Sequence, residues 1–198
     1  MAVAVIKYNA GNIRSVTIAL ERLGVRGTVT DDPETIRKAE KVIFPGVGEA
    51  SSAMAYLRSR GLDTLIRSLE QPVLGICLGL QLMCRRSEEG DTDCLGIFDT
   101  DVTLFPAEDK VPHMGWNTVT QLRGPLFEGI PEASFMYFVH SYAAARCSQS
   151  TAQTDYIRPF ASALQKDNFF ALQFHPEKSG ELGQRILKNF LMLEKGAV

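Results

Sequence analysis

The sequence predicts an α/β fold, with an open, mostly parallel sheet flanked by helices and extra antiparallel strands in the second half. In the first half, short apolar runs alternate with helical periodicity; after the apolar run at 2–7, Ile13, Val16, Leu20 and Leu23 recur at helical spacing. Repeated strand–loop–helix units imply parallel pairing through right-handed crossovers. The second half contains four short strand-like runs, the last two joined by a turn that is typical of a hairpin: 135–139, 151–157, 161–165 and 169–174.

The remaining elements follow in chain order. We expect Asn12 to cap the first helix and Gly24 to end it. A second strand at 41–44 leads through a loop into a helix from about residue 49, which Gly61 ends. A third strand at 73–76 runs directly into Cys77 and another helix, and an amphipathic helix at 180–193 closes the chain. Because no linker, repeat or low-complexity segment interrupts 198 residues, we expect a single domain across 1–198.

The composition argues against several classes of function. Lys plus Arg number 21 against 23 for Asp plus Glu, a net charge of -2, so nothing favours nucleic acid or a membrane as partner. No apolar stretch approaches the roughly 18 residues that span a bilayer, and the first apolar run is too short for a signal peptide. Three widely separated histidines and four cysteines without a Cys-x-x-Cys pair disfavour a metal site. We expect a cytoplasmic protein with free thiols, no metal and no cofactor.

The segment around Cys77 is the most informative part of the sequence. A nucleophile between a buried strand and a helix lies on a sharp turn that exposes its side chain at the carboxyl edge of the sheet. Gly75 and Gly79 remove the Cβ atoms that would clash in this bend. The helix that follows is expected to lower the pKa of the thiol, and the Leu78 amide is placed to donate to an oxyanion. The alternative is that Cys77 is a small buried apolar residue; the other three cysteines are interpreted as structural.

A cysteine nucleophile also needs a base, and His175 is the best candidate. Pro176 favours an extended His175, and side chains two apart in an extended chain share a side, so Glu177 can orient the imidazole. Alone, this segment would be interpreted as a polar turn. His140 has no nearby carboxylate in the sequence and is assigned to lining the pocket, and His113 is interpreted as a loop residue.

Five segments together carry a resemblance to a known family. They read Pro-Gly-Val-Gly, Gly-Ile-Cys-Leu-Gly-Leu-Gln-Leu-Met, Pro-His-Met-Gly-Trp-Asn, Tyr-Phe-Val-His-Ser-Tyr and Gln-Phe-His-Pro-Glu-Lys-Ser-Gly, at 45–48, 75–83, 112–117, 137–142 and 173–180. The chain thereby resembles the class I glutamine amidotransferases, which have a flavodoxin-like sheet. Within them it is most similar to the glutaminase subunits of imidazole glycerol phosphate synthases, which serve histidine biosynthesis.

The resemblance implies roles for individual residues. Cys77 would attack the carboxamide of glutamine, His175 would protonate the departing ammonia, and Glu177 would steady His175. The residues expected to bind substrate or its oxyanion are Gly46, Val47, Gly48, Leu78, Gln81, Ser141 and Tyr142. Ammonia would pass to a separate cyclase subunit, with which the chain would form a heterodimer. The residues expected at that interface are Asn12, Trp116, Asn117, Tyr137 and Lys178.

Some alternatives stay open. Trp116 is also compatible with simple core filling. The stretch Lys7-Tyr8-Asn9 departs from the Asp-Tyr-Gly of the family, in a loop expected near the cyclase. The chain could instead be the glutaminase of a pyridoxal phosphate, anthranilate or guanylate synthase, although the segments at 112–117 and 177–180 argue against these. A cysteine peptidase or chaperone-like relative and a binding protein without catalytic activity are the remaining alternatives.

Overall fold

A seven-stranded sheet forms the centre of the protein. The computed structural model describes residues 1–9 and 11–196. The strands of the whole chain, in sequence order, are β1 (Val3–Ile6), β2 (Gly27–Thr30), β3 (Lys41–Phe44), β4 (Val73–Ile76), β5 (Arg86–Ser87), β6 (Thr92–Asp93), β7 (Asp101–Leu104), β8 (His113–Val119), β9 (Ser134–His140), β10 (Tyr142–Ala144), β11 (Ser150–Tyr156), β12 (Arg158–Lys166) and β13 (Phe169–Leu172). The central sheet has the order β11-β12-β13-β4-β3-β1-β2.

Helices cover the sheet. They are α1 (Ile13–Arg22), α2 (Pro33–Lys38), α3 (Ala50–Ser59), α4 (Leu62–Arg67), α5 (Leu78–Met83) and α6 (Gly180–Met192). Because successive side chains of a strand point to opposite faces, each buried strand contributes to two cores. Val42 and Phe44 belong to one hydrophobic cluster, whereas Ile43 of the same strand belongs to the other. No helix in the described ranges is long and apolar enough to cross a membrane.

The pairing confirms the predicted fold class. β2, β1, β3, β4 and β13 are mutually parallel, and β11 and β12 add antiparallel strands at one edge. The predicted strands at 41–44 and 73–76 have the observed bounds, and the predicted hairpin is β12–β13. β2, α2 and α4 were not predicted from the sequence, nor was the small sheet with the order β10-β7-β5-β6.

One local prediction was confirmed in position only, and one was wrong. Asn12 lies at the N-cap position of α1, but its side chain makes no capping hydrogen bond; it adopts a left-handed backbone with φ of 70° and binds elsewhere. His113 is not in a loop but opens β8, where it faces His140 of β9. Gly24 does follow the end of α1 with a φ of +74°, as its assignment requires.

The topology gathers four loops at one edge of the sheet. β13, β4, β3 and β1 are consecutive and parallel, so their carboxyl ends lie side by side. After these ends come the loops that contain His175, Cys77, Val47 and Asn12. The carboxyl edge of an open α/β sheet is where ligands bind, and this edge is therefore the candidate site.

Candidate active site

Cys77 lies on a strained turn between β4 and α5. Its backbone has φ of 54° and ψ of -107°, which non-glycine residues rarely adopt and which is typical of functional positions. A Cβ atom on Gly79 would lie 1.9 Å from the Phe44 carbonyl oxygen, and one on Gly75 would lie 2.9 Å from the sulfur of Met83. The two glycines therefore permit the bend, as their spacing predicts.

His175 and Glu177 follow the neighbouring strand, β13. The imidazole Nδ1 lies 2.8 Å from Glu177 Oε1, and both side chains are fully buried. Among the described residues, His175 Nε2 has no hydrogen-bond partner. A buried nitrogen without a hydrogen-bond partner costs free energy. This nitrogen is accounted for if it exchanges protons with a nucleophile and with the group that leaves the substrate.

The charge state of His175 reflects the proximity of Cys77. Burial opposes a charge on the imidazole, but the neighbouring Cys77 and Glu177 side chains outweigh it and raise the pKa of His175 to about 10. The structure therefore brings all three predicted catalytic residues together. Their arrangement suits a thiolate–imidazolium pair whose imidazolium is held by a carboxylate.

Two further side chains lie near the Cys77 sulfur and were given no role from the sequence. Gln173 donates from Nε2 to Cys77 Sγ at 3.6 Å, and its Oε1 accepts from Gln81 Nε2 at 3.2 Å. Tyr8 is buried beneath the loop after β3, where its hydroxyl donates to Pro45 O at 2.6 Å. Burial and the nearby charge of Cys77 raise the pKa of Tyr8 well above its usual value. In the sequence, only the position of Gln173 next to the His-Pro-Glu segment could have indicated that it contacts the nucleophile.

A cavity of about 210 Å³ opens beside Cys77. Its wall includes six of the residues expected to bind substrate, namely Val47, Gly48, Leu78, Gln81, Ser141 and Tyr142. It also includes His140, as expected, and Glu89, which nothing in the sequence marked because Ser-Glu-Glu-Gly reads as a polar turn. Glu89 accepts a hydrogen bond from the Ala50 amide at 2.8 Å, and burial raises the pKa of its carboxyl.

Comparison with known proteins identifies the family of the chain. The sequence profile of the family Glutamine amidotransferase class-I matches residues 4–193. The chain belongs to the class-I glutamine amidotransferases. The protein named imidazole glycerol phosphate synthase subunit HisH of Bacteroides fragilis is 63% identical over 98% of this chain and 100% of its own length. The proteins of that name in Bacteroides thetaiotaomicron and Escherichia coli K12 are 61% and 47% identical, over 98% and 96% of this chain and 100% and 99% of theirs.

Solved structures share the fold. A crystal structure of a glutamine amidotransferase matches with a TM-score of 0.75 and 18% identity, covering 96% of this chain and 97% of that one. A crystal structure of a glutamine amidotransferase from Thermotoga maritima matches with a TM-score of 0.66 and 16% identity, covering 96% and 82%. At such identities the likeness establishes the class-I amidotransferase fold and nothing finer.

Backbone hydrogen bonds hold the loop at 45–48 of this amidotransferase. The Leu78 amide, expected to bind the oxyanion, donates instead to the Gly46 carbonyl oxygen at 3.2 Å. The Val47 carbonyl accepts from the Gly11 amide at 3.0 Å. A Cβ on Gly46 would lie 2.1 Å from the Tyr8 hydroxyl, so the loop packs tightly against the residues beneath it.

The residues expected at a partner interface divide into two groups. Trp116 and Tyr137 lie side by side on the β8–β9 ribbon with ring centroids 6.0 Å apart, and Lys178 lies over the Tyr137 ring. Trp116 is 55% exposed, which excludes the core-filling alternative. Asn12 takes no part in these contacts, and its side chain donates to Glu177. Asn117 binds His113, and Tyr8 of the divergent stretch is buried rather than surface-exposed.

All four cysteines are free. Within the ranges that the structure describes, no group of three or more His, Cys, Asp or Glu side chains is placed to hold a metal ion.

Proposed function

We propose that this chain is the glutaminase subunit of an imidazole glycerol phosphate synthase. It hydrolyses glutamine to glutamate and supplies the ammonia to a cyclase subunit. The observation that carries the chemistry is the meeting of Cys77 with the buried His175–Glu177 pair beside a cavity. The choice of synthase is supported by near full-length relatives that carry this name, one of them at 63% identity.

The reaction follows from the contacts. The Cys77 thiolate attacks the carboxamide carbon of glutamine, and His175 gives its Nε2 proton to the departing ammonia. Water, deprotonated by the same nitrogen, then hydrolyses the glutamyl thioester, which regenerates the thiolate and releases glutamate. Glu177 holds Nδ1 at 2.8 Å and stabilises the imidazolium in each half of the cycle.

The cavity wall supplies complementary groups for the amino-acid end of glutamine. The Glu89 carboxylate suits the substrate ammonium, since a partly buried carboxylate forms a charge-assisted hydrogen bond with a cation. Gln81 and the backbone of Ser141 and Tyr142 lie in the same wall and bind the remaining polar groups. Glu89 and Cys77 line the same cavity. A carboxylate for the substrate ammonium beside the nucleophile suits a free amino acid better than a peptide, whose nitrogen carries no charge, and this disfavours the peptidase alternative.

The loop at 45–48 acts as an activity switch. In the resting state, the hydrogen bond from Leu78 to Gly46 occupies the amide that an oxyanion needs, and the bond from Gly11 holds Val47. Rotation of the Val47 peptide frees Leu78 and adds a second donor. Losing one such donor typically costs about a hundred- to a thousandfold in rate, so the isolated chain has weak activity.

The exposed face of the β8–β9 ribbon is the docking surface for the cyclase. Met114, Trp116 and Phe135 are large apolar side chains that lie largely in solvent on this ribbon, and Tyr137 carries Lys178 on its ring. Exposed apolar groups gathered on one face are typical of a protein–protein interface. The ribbon is in direct contact with the candidate base, since the His175 amide donates to the Tyr137 carbonyl at 2.9 Å.

The chain functions as a single domain in the cytoplasm, where its thiols stay reduced.

Ammonia release from glutamine tests the proposal. It is measured for the chain alone, with the cyclase, and with the cyclase plus its nucleotide ligand. We expect a low rate alone, a rise of about a hundredfold or more in the full complex, and no release by Cys77→Ala under any of the three conditions. Cys84→Ala is the matched control, since Cys84 is buried at the end of α5, is not part of the cavity wall and should leave the rate unchanged. A full rate without cyclase would contradict the switch; a rate unaffected by Cys77→Ala would contradict the mechanism.

A further inference from the structure

A chain of hydrogen bonds joins the β8–β9 ribbon to the wall of the cavity. Asn117 Nδ2 lies 3.2 Å from His113 Nε2, and His113 Nδ1 lies 3.0 Å from His140 Nε2. His140 Nδ1 lies 2.8 Å from the carbonyl oxygen of Tyr142. Both imidazoles are buried, and neither has a role in the reaction described above.

The direction of every bond in the chain is determined. A carbonyl oxygen only accepts, so His140 carries its proton on Nδ1 and donates to Tyr142. Burial lowers the pKa of His140 to about 3 and that of His113 to about 4, so each ring is neutral at pH 7 and has one lone pair. His140 Nε2 therefore accepts, His113 donates from Nδ1, and His113 Nε2 accepts from Asn117.

The outer end of the chain is equally constrained. Asn117 Oδ1 accepts from the Thr118 amide at 2.7 Å, and Asn117 Nδ2 also donates to the Asp155 carbonyl at 3.1 Å. The amide of Asn117 is thus oriented with its donor toward His113. The His113 ring is held between Tyr156 and Phe138, with centroids 4.0 and 4.9 Å away and nearly parallel planes.

The inner end meets the substrate-binding groups. The Tyr142 carbonyl also accepts from Gln81 Nε2 at 2.9 Å, so its two lone pairs are both used. Gln81 in turn donates to Gln173, which donates to the sulfur of Cys77. The Tyr142 carbonyl is therefore the junction between the histidine chain and the groups that surround the nucleophile.

We propose that Asn117, His113 and His140 are positioning residues that set the Tyr142 carbonyl, and through it the Gln81 amide, for binding glutamine. The role rests on the proposed glutaminase function. None of the three side chains has to touch the reacting atoms. A change at Asn117, on the ribbon expected to face the cyclase, alters glutamine binding through the two histidines.

Two variants of Asn117 separate this role from a purely structural one. Asn117→Asp places an acceptor opposite the lone pair of His113 Nε2, so His113 must become charged or the proton positions along the chain must invert. Inversion leaves a lone pair of His140 facing the Tyr142 carbonyl. Asn117→Ala removes the outer donor but leaves the chain direction, which the Tyr142 carbonyl sets. Both variants lose the bond to Asp155, so each controls for the other.

Steady-state kinetics are measured in the complex at saturating cyclase. We expect Asn117→Asp to raise KM for glutamine on the order of tenfold with kcat changed by less than about threefold, and Asn117→Ala to change KM by less than about threefold. Equal KM values for the two variants overturn the proposal.

Nitrogen-15 spectra of the three histidines, recorded with only this chain labelled, report the proton positions directly. The wild type and Asn117→Ala should show neutral His113 and His140 protonated on Nδ1, and Asn117→Asp should show inverted or charged rings. Nε2-protonated rings in an active wild-type enzyme overturn the positioning role alone. An inactive wild-type complex overturns the glutaminase function and the positioning role with it, while the spectra still report the direction of the chain.

Discussion

Asn12 donates its side-chain amide to Glu177 Oε1 at 2.5 Å, and the same nitrogen lies 3.2 Å from His175 Nδ1. The residue that precedes it, Gly11, holds the Val47 carbonyl through its own amide. One short segment at the start of α1 therefore contacts both the base of the candidate triad and the loop that we propose as the switch. Asn12 satisfies a lone pair of the Glu177 carboxylate that would otherwise face a buried interior.

Asn12→Gly should lower kcat in the complex on the order of tenfold, because a hydrogen bond to a charged group is lost while glycine keeps the left-handed backbone. Asn12→Asp should behave differently with pH. Two carboxyl groups at this distance cannot both be ionised. The carboxyl introduced at position 12 therefore forms a hydrogen bond with Glu177 only while one of the two groups is protonated. The pH–rate profile should therefore fall with rising pH for Asn12→Asp relative to Asn12→Gly.

Gln121→Gly is the control for Asn12→Gly, because Gln121 is an exposed residue with a φ of 56° outside the site. It should leave kcat unchanged. If Asn12→Asp and Asn12→Gly give parallel pH profiles, Asn12 does not act through the Glu177 carboxylate.

Glu89→Gln should raise KM for glutamine on the order of tenfold, because the variant replaces a charge-assisted contact with the substrate ammonium by a neutral one. Its kcat should change much less, since Glu89 lies away from the scissile carboxamide. Steady-state glutaminase kinetics in the complex check this. Glu88→Gln is the matched control, because Glu88 caps the Leu104 amide and is not part of the cavity wall. An unchanged KM in Glu89→Gln would place the substrate ammonium elsewhere.

Trp116→Ala should weaken binding to the cyclase by about 2 kcal/mol, or roughly thirtyfold in Kd, because buried aromatic anchors carry much of the energy of an interface. Calorimetry or fluorescence titration with the purified cyclase measures it. Met192→Ala removes another exposed apolar side chain, on α6, and should leave Kd unchanged. Similar losses from both variants would mean that the β8–β9 ribbon is not the docking surface.

How far the sequence predicts this structure depends on where each residue finds its partners. β3 and β4 are buried throughout, so their apolar runs stand out, and the bend at Cys77 is marked by glycines within two residues. β2 is half exposed and reads Gly-Thr-Val-Thr, which carries no burial pattern. Asn12 was assigned as a cap because local propensity cannot reveal a carboxylate 165 positions further along the chain. The His113–His140 pair was missed for the same reason, since neighbouring strands supply the two rings.

Gly79→Ala should lower the free energy of unfolding by about 3 kcal/mol or more, because the new Cβ would lie 1.9 Å from a backbone oxygen that cannot move freely. Urea denaturation of the isolated chain measures it. Gly96→Ala is the control: Gly96 has a positive φ, of +66°, but its Cβ would meet nothing within 4 Å. That variant should lose only about 1 kcal/mol, from backbone conformation. Equal losses would indicate that the elbow tolerates a side chain.

Acid should destabilise the protein through His113 and His140 before most carboxylates are protonated. Their folded pKa values of about 4 and about 3 lie below the unfolded value of about 6.5, so below pH 6.5 the unfolded chain binds protons that the folded chain does not. Their contribution to stability is therefore complete above pH 6.5 and declines as the pH falls toward 4, by about 1.4 kcal/mol per pH unit for each histidine. His175 adds little to the slope below about pH 5.5, because there it is protonated both in the folded protein, where its pKa is about 10, and in the unfolded chain, where its pKa is about 6.5.

His140→Asn isolates this effect, since an asparagine amide can still donate to the Tyr142 carbonyl but does not titrate. The free energy of unfolding is measured by denaturant titration between pH 6.5 and 4.5. Its slope against pH should be smaller in the variant by about 1.4 kcal/mol per pH unit, which corresponds to one proton. Ser148→Asn introduces the same side chain at an exposed position, and this control should keep the wild-type slope. Identical slopes in His140→Asn and the wild type would mean that His140 is protonated in the folded protein, and the one-way hydrogen-bond chain could not then exist.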